Sequence, residues 1–161
     1  MSDESKEKIH FKIELSGTYW QKKPHYTISV NDTEYVNAYI TKASDEHEFI
    51  EFDCSVEEDQ QHVLKIRFDN KDDADVLKDN PSEKDNFVIL KDMLLNIHSI
   101  EVDDIELGNL HQMLATYKYD EPQDFPEPGS TEIQYCINFG ANGTYELEFS
   151  SPFYLWLLEK I

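Results

Sequence analysis

Ile9-His-Phe-Lys-Ile-Glu-Leu-Ser-Gly17 alternates strictly, with Ile9, Phe11, Ile13 and Leu15 on one face and His10, Lys12 and Glu14 on the other. A period of two places successive side chains on opposite sides of a strand, so this segment reads as a strand with one buried face, closed by Gly17. The same pattern recurs downstream. Tyr26, Ile28 and Val30 alternate before Asn31-Asp32, a turn pair that predicts a hairpin back through Tyr35 to Ile40. Further strands are expected at 49–54 and 63–68, with the acidic stretch 56–61 as the turn between them. From Leu94 to Leu107 the alternation slips phase twice, which predicts a bulge or two short strands. Ile133, Tyr135, Ile137 and Phe139 alternate, Asn142-Gly143 marks a tight turn, and Tyr145, Leu147 and Phe149 alternate again, so a hairpin is expected there.

Helical periodicity is brief. Leu110, Met113, Leu114 and Tyr117 fall at i, i+3, i+4 and i+7, enough for a turn or two, and 119–129 is expected to be a proline-rich loop. Beyond Pro152, residues 153–161 read as a short apolar helix or strand, packed as a last core element or left as an assembly patch. About eight short strands with few helices predict an all-β fold, an antiparallel β-sandwich of jelly-roll-like type with a short C-terminal helix. One domain over 9–161 is expected, after a disordered N-terminus at 1–8.

The chain has 161 residues, with 34 Asp plus Glu against 14 Lys plus Arg and a net charge of -20. Such a field repels phosphate, which argues against a nucleic-acid partner. Arg67 is the only arginine, so the guanidinium clamps of phosphoryl transfer are missing. Nine Phe, nine Tyr and two Trp nevertheless supply a real core. Residues 1–8 are charged rather than apolar and no apolar run approaches the ~20 residues of a membrane span. The expected location is therefore a cytoplasm, with no membrane partner. Cys54 and Cys136 have no neighbouring Cys or His with metal-ligand spacing and read as reduced thiols. The six histidines do not cluster, and neither a nucleophile elbow nor a Cys/His order for catalysis is present, so no enzyme is expected.

Two constellations point to binding instead. Between Asp69 and Asn86 ten positions are Asp, Asn or Glu. Calcium takes carboxylate, amide and backbone oxygens, which such a loop supplies, although the spacing is not that of an EF-hand. A solvated acidic loop is the competing reading. The second constellation is aromatic. Trp20, beside Tyr19 and Tyr26, and Tyr117 and Tyr119, beside Phe125, are candidate platforms for sugar rings, whose C–H faces stack on π-systems; core packing is the alternative, favoured for Tyr26.

Four runs carry a resemblance: Ile9-His-Phe-Lys-Ile-Glu-Leu-Ser-Gly17, Pro24-His-Tyr-Thr-Ile-Ser-Val-Asn-Asp32, Val63-Leu-Lys-Ile-Arg-Phe-Asp-Asn70 and Asp92-Met-Leu-Leu-Asn-Ile-His-Ser-Ile-Glu-Val-Asp-Asp104. In order and pattern they are similar to runs of the calcium-dependent xylan-binding carbohydrate-binding modules. Met93-Leu94 and Asp104 stand where that family has Arg-Asn and Gly. The resemblance implies a β-sandwich, a calcium ion in the loop between the last two runs, and sugar hydroxyls bound directly to that ion. Ligands for it would come from Asp69, Asp72, Asp73, Asp75, Asp85 and Asp92. Residues 140–159 resemble the C-terminus of uncharacterised proteins of marine tailed cyanophages, which implies a phage origin. The expected function is thus a non-enzymatic binding module, calcium-assisted and carbohydrate-directed, in a phage structural or tail-associated protein. Its alternatives are an acidic phage protein that occupies a basic host protein as DNA mimics do, and a purely structural assembly protein.

Overall fold

A computed structural model describes residues 5–80, 87–124 and 126–161. In chain order the first strands are β1 (Lys6–Thr18), β2 (His25–Val30), β3 (Thr33–Tyr39), β4 (Glu48–Glu57), β5 (Gln61–Phe68), β6 (Leu77–Lys78) and β7 (Ile89–Lys91). They are followed by β8 (Leu94–Val102), β9 (Ile105–Glu106), helix α1 (Leu110–Met113), β10 (Ala115–Gln123), β11 (Ser130–Gln134), β12 (Asn138–Phe139), β13 (Gly143–Ser150) and helix α2 (Phe153–Lys160). One large sheet has the order β12-β8-β1-β4 with β9 beside β8, a second has the order β11-β10-β13-β5-β2-β3, and β6 and β7 form a separate two-stranded sheet. Every described strand pair is antiparallel. The expected all-β sandwich is what the chain forms.

Period-two burial explains the layers. Ile9, Phe11, Ile13 and Leu15 of β1 are fully buried, and across the sandwich Tyr26, Ile28, Leu64, Ile66, Tyr145 and Leu147 close the same core. Phe11 meets Phe149 of the facing sheet edge-on, with ring centroids 6.1 Å apart. Burying each such side chain is worth about 1.5–3 kcal/mol. The phase slip in β8 is a bulge: Glu14 pairs with Ser99 but Leu15 pairs with Ile97, leaving His98 as the extra residue. The turn from β8 to β9 uses Asp103 and Asp104, and that of the β2–β3 hairpin uses Asn31 and Asp32, all four with left-handed φ. Asn and Asp tolerate that region better than most residues, and primed hairpin turns require it.

Three expectations change. The hairpin expected across Asn142-Gly143 is not formed, because β12 leaves for the other sheet, where Asn138 and Phe139 pair with Asn96 and Leu95, while β13 pairs with β10 and β5. The alternation through Ile133 to Phe139 breaks at Tyr135, which takes a φ of 59°. Burial of Phe139 between the sheets drives the crossing: its ring stacks on Tyr117 at 4.2 Å and 18°. Second, β10 continues through Pro122 to Gln123, into the stretch expected to be loop. Third, β1 begins at Lys6, ahead of the domain start expected at Ile9. The last segment is a helix with a core-facing side: Phe153, Trp156 and Leu157 are buried, whereas Tyr154, Leu155 and Leu158 are exposed.

Candidate functional site

The crossing from β11 to β12 closes one edge of the sandwich and creates a groove there. Its floor is set by β10, whose residues 117 and 119 face the same side by period two. Tyr117 is buried, and its hydroxyl donates to the Ala141 carbonyl at 2.5 Å. Burial raises its pKa, so it remains a neutral donor. Tyr119 stands edge-on to it at 5.7 Å, less buried and open to the groove. Gly143 is required beneath them: a Cβ there would lie 2.3 Å from the Lys118 carbonyl and 2.9 Å from the Tyr117 ring.

The crossing segment makes the wall. Tyr135 is 61% exposed, and its left-handed backbone is a conformation that costs a bulky residue about 1–3 kcal/mol. Ile137 is held to β8 by the Ile97 amide, which donates to its carbonyl at 2.8 Å. Between floor and wall lies a cleft of about 520 Å³, bordered by Tyr119, Tyr135, Cys136, Asn138 and Gln123. Cys136 donates to the Asn138 carbonyl at 3.2 Å, and burial raises its pKa, so a thiol rather than a nucleophilic thiolate faces the cleft.

A second hollow of about 530 Å³ adjoins the first and shares Gln123, Gly140 and Ala141 with it. Its border is polar: Lys71, Asp72, Asp73, Asp120, Glu121 and Asn142. Asp120 is engaged by both terminal nitrogens of Arg67 at 2.8 Å, a fork that raises the guanidinium pKa further. Among the described residues, the carboxylates of Asp73, Glu121 and Asp124 have no ion pair and no hydrogen bond, and are open acceptors. One groove therefore has an aromatic half and an acceptor half.

The residues expected from sequence are placed as follows. Tyr117 and Tyr119 are in the groove, the first as floor and the second as surface. Trp20 is 39% exposed but lies elsewhere; its indole N–H donates to the Asp75 carbonyl at 2.7 Å, and the Lys91 ammonium sits 5.9 Å from its ring. Asp73 borders the groove, and Asp72 does so while paired with Lys22 at 2.6 Å. Asp69 accepts from His25 Nδ1 at 2.8 Å. Burial of His25 opposes its charge, but its hydrogen bonds to Asp69 and Asn37 win and its pKa is raised. Asp75 is buried and accepts from the Asp72 amide at 2.7 Å, from Gln21 at 2.9 Å and from Lys22 at 3.1 Å. Against its burial, these bonds lower its pKa. Asp92 accepts from the Met93 amide at 2.7 Å and the Lys71 ammonium at 2.6 Å. Asp85, like Phe125, lies outside the described residues.

Calcium needs about six to eight oxygens converging on one point. The described carboxylates do not fit that demand, since Asp69, Asp72, Asp75 and Asp92 each turn to a cation or amide of the protein itself. Among the described residues no three His, Cys, Asp or Glu side chains gather in a metal-holding arrangement. Sequence reasoning missed Tyr135, Glu121, Gln123 and Asn138. Their only signal was proximity to the prolines of 119–129, because the sheet-to-sheet crossing that unites them leaves no local pattern.

The candidate site on this antiparallel β-sandwich is thus a groove of tyrosines and open carboxylates. No family model matches the chain, and no curated protein matches its sequence. Among solved structures it is similar to vCBM60 in complex with galactobiose, with a TM-score of 0.49 and 10% identity over 86% of this chain and 96% of that one. It is similar also to a selenomethionine form of vCBM60, described with a circular permutation that links two families of calcium-dependent carbohydrate binding modules, with a TM-score of 0.48 and 10% identity over 86% and 89% of the two chains.

Proposed function

We propose that this chain is a non-enzymatic carbohydrate-binding module and that its ligand site is the groove between β10–β11 and the crossing to β12. The observation that carries this reading is the junction of the two hollows at Gln123, Gly140 and Ala141. A pyranose has an apolar C–H face and a rim of hydroxyls. Tyr119 and Tyr135 supply rings for the face, worth about 0.5–1.5 kcal/mol each beyond area burial. Asp73, Glu121, Gln123 and Asn138 supply acceptors and amide donors for the rim. Two adjoining hollows of about 520 and 530 Å³ favour an oligosaccharide over a single sugar. Its carboxylates favour neutral over sulfated or uronic-acid chains by like-charge repulsion.

The test is a glycan array probed with the full chain in chelator, followed by calorimetric titration of any hit into the parent and into Tyr135→Ala. Binding of neutral oligosaccharides that weakens about tenfold in the variant supports the reading. Uniform silence on the array, or a hit indifferent to Tyr135→Ala and to Glu121→Gln, overturns it.

A further inference from the structure

We infer that the ammonium of Lys71 is the resident cation of this end of the sandwich, holding the place that a divalent ion would need between the acidic loop and the floor of the groove. The inference rests on the groove as described for its functional meaning, but its geometry stands alone. Lys71 is anchored at its backbone, where the Asn142 side chain accepts from its N–H at 2.9 Å and donates to its carbonyl at 3.0 Å. Its side chain, only 11% exposed, then carries the ammonium to 2.5 Å from the Gly140 carbonyl and 2.6 Å from Asp92 Oδ1. A carboxylate oxygen and a backbone carbonyl are the hard donors that calcium takes. Here a tethered monocation takes them.

The surrounding charges agree. Lys22 bridges Asp72 and Asp75 at 2.6 and 3.1 Å, and His25 engages Asp69. Three basic side chains of the chain itself, whose presence does not depend on metal supply, thus engage Asp69, Asp72, Asp75 and Asp92, while Asp73 stays open. Lys71 ties three segments together: the acidic loop through its own backbone, the start of β8 through Asp92, and the groove floor through Gly140 and Asn142. It acts as a positioning residue for the segment 140–142 that borders both hollows.

The experiment compares melting of the parent and of Lys71→Ala in chelator, in about 10 mM calcium and in sodium chloride of matched ionic strength; that calcium level saturates even weak extracellular-type sites. In the parent, chelator and calcium leave the Tm unchanged beyond the salt control. Lys71→Ala melts about 5–10 °C lower, as loss of one partner of a sheltered ion pair does. It regains Tm in calcium more than in matched salt, because Asp92 and the Gly140 carbonyl are left open to an ion. A rescue selective for a divalent ion is a response that a merely packed side chain would not produce. Calcium-specific stabilisation of the parent, or a Lys71→Ala chain that gains nothing from calcium over salt, overturns the inference.

Should Lys71→Ala fail to fold, the Lys71 ammonium is observed directly in the parent by proton–nitrogen NMR. A slowly exchanging ammonium resonance that ignores calcium supports the inference, and one that is absent or displaced by calcium overturns it. None of these readouts involves a glycan, so a groove that binds no sugar would leave the result on Lys71 standing.

Discussion

The acidic loop at 69–75 and the tyrosine edge at 119–135 border the same groove, yet they use their side chains in opposite ways. In the loop, Asp69, Asp72 and Asp75 are all engaged by His25, Lys22 and Gln21, and only Asp73 is left open. At the edge, Tyr119 and Tyr135 face the cleft and the neighbouring carboxylates of Glu121 and Asp124 are unpaired. A high density of acid therefore does not by itself leave open acceptors. What marks the proposed site is polar and aromatic groups that the fold leaves unspent, and the strained backbone of Tyr135 that turns one of them outward.

Truncating the support that both regions share should have the largest effect. Phe139→Ala removes a fully buried ring stacked on Tyr117 and is expected to destabilise the chain by about 3–5 kcal/mol in denaturant titration, loosening loop and edge together. Asp75→Ala separates them. It strips the Lys22, Gln21 and Asp72 amide bonds from one buried carboxylate, and a loss of about 2–3 kcal/mol is expected, read as faster amide exchange in the loop with the exchange of 135–141 unchanged. Tyr135→Gly does the reverse: a left-handed φ suits glycine, so stability should rise by up to about 1 kcal/mol while glycan affinity falls about tenfold.

The smallest difference is in pH response. His25 has a raised pKa, so the stability it contributes is complete below its unfolded value of 6.5 and lost as pH rises through the folded value. Asp75 has a lowered pKa, so its contribution is present above its unfolded value of 3.8 and lost as pH falls through the folded one. Burial raises the pKa of Tyr119, which keeps its phenol uncharged across that range. Amide exchange in the loop should thus loosen modestly on the alkaline side of 6.5, and His25→Asn should abolish that slope. Equal slopes in loop and edge would break the distinction between them.

Much of the fold was legible because burial imposes a period of two wherever a strand has one inner face. Ile9 to Leu15, Tyr26 to Val30 and Tyr145 to Phe149 are all buried in phase with their alternation. Even the bulge at His98 left its trace as a phase slip. Pattern failed where a segment changed sheets. Ile133, Tyr135, Ile137 and Phe139 alternate in sequence, yet they belong to a strand, a left-handed turn, a crossing and a second strand. The site suffered more than the fold because it is made by that crossing. Tyr119 was singled out for its aromatic character, whereas Tyr135 was hidden in an apparent strand. Trp20 was singled out for the same aromatic reason, but its indole is tied to the Asp75 carbonyl. The carboxylates of 69–75 were legible as a cluster, but their partners Lys22 and His25 are some 50 and 44 positions away, beyond any local pattern.

The most direct test of the groove is amide NMR of the full chain titrated with a neutral oligosaccharide in the presence of chelator. The expected result is a set of shifted resonances confined to Tyr119, Glu121, Gln123, Tyr135, Asn138 and residues 140–142, with the amides of 69–70 still. Shifts centred on Trp20 or on Asp69 and Asp75, or binding that appears only when calcium is restored, would contradict it.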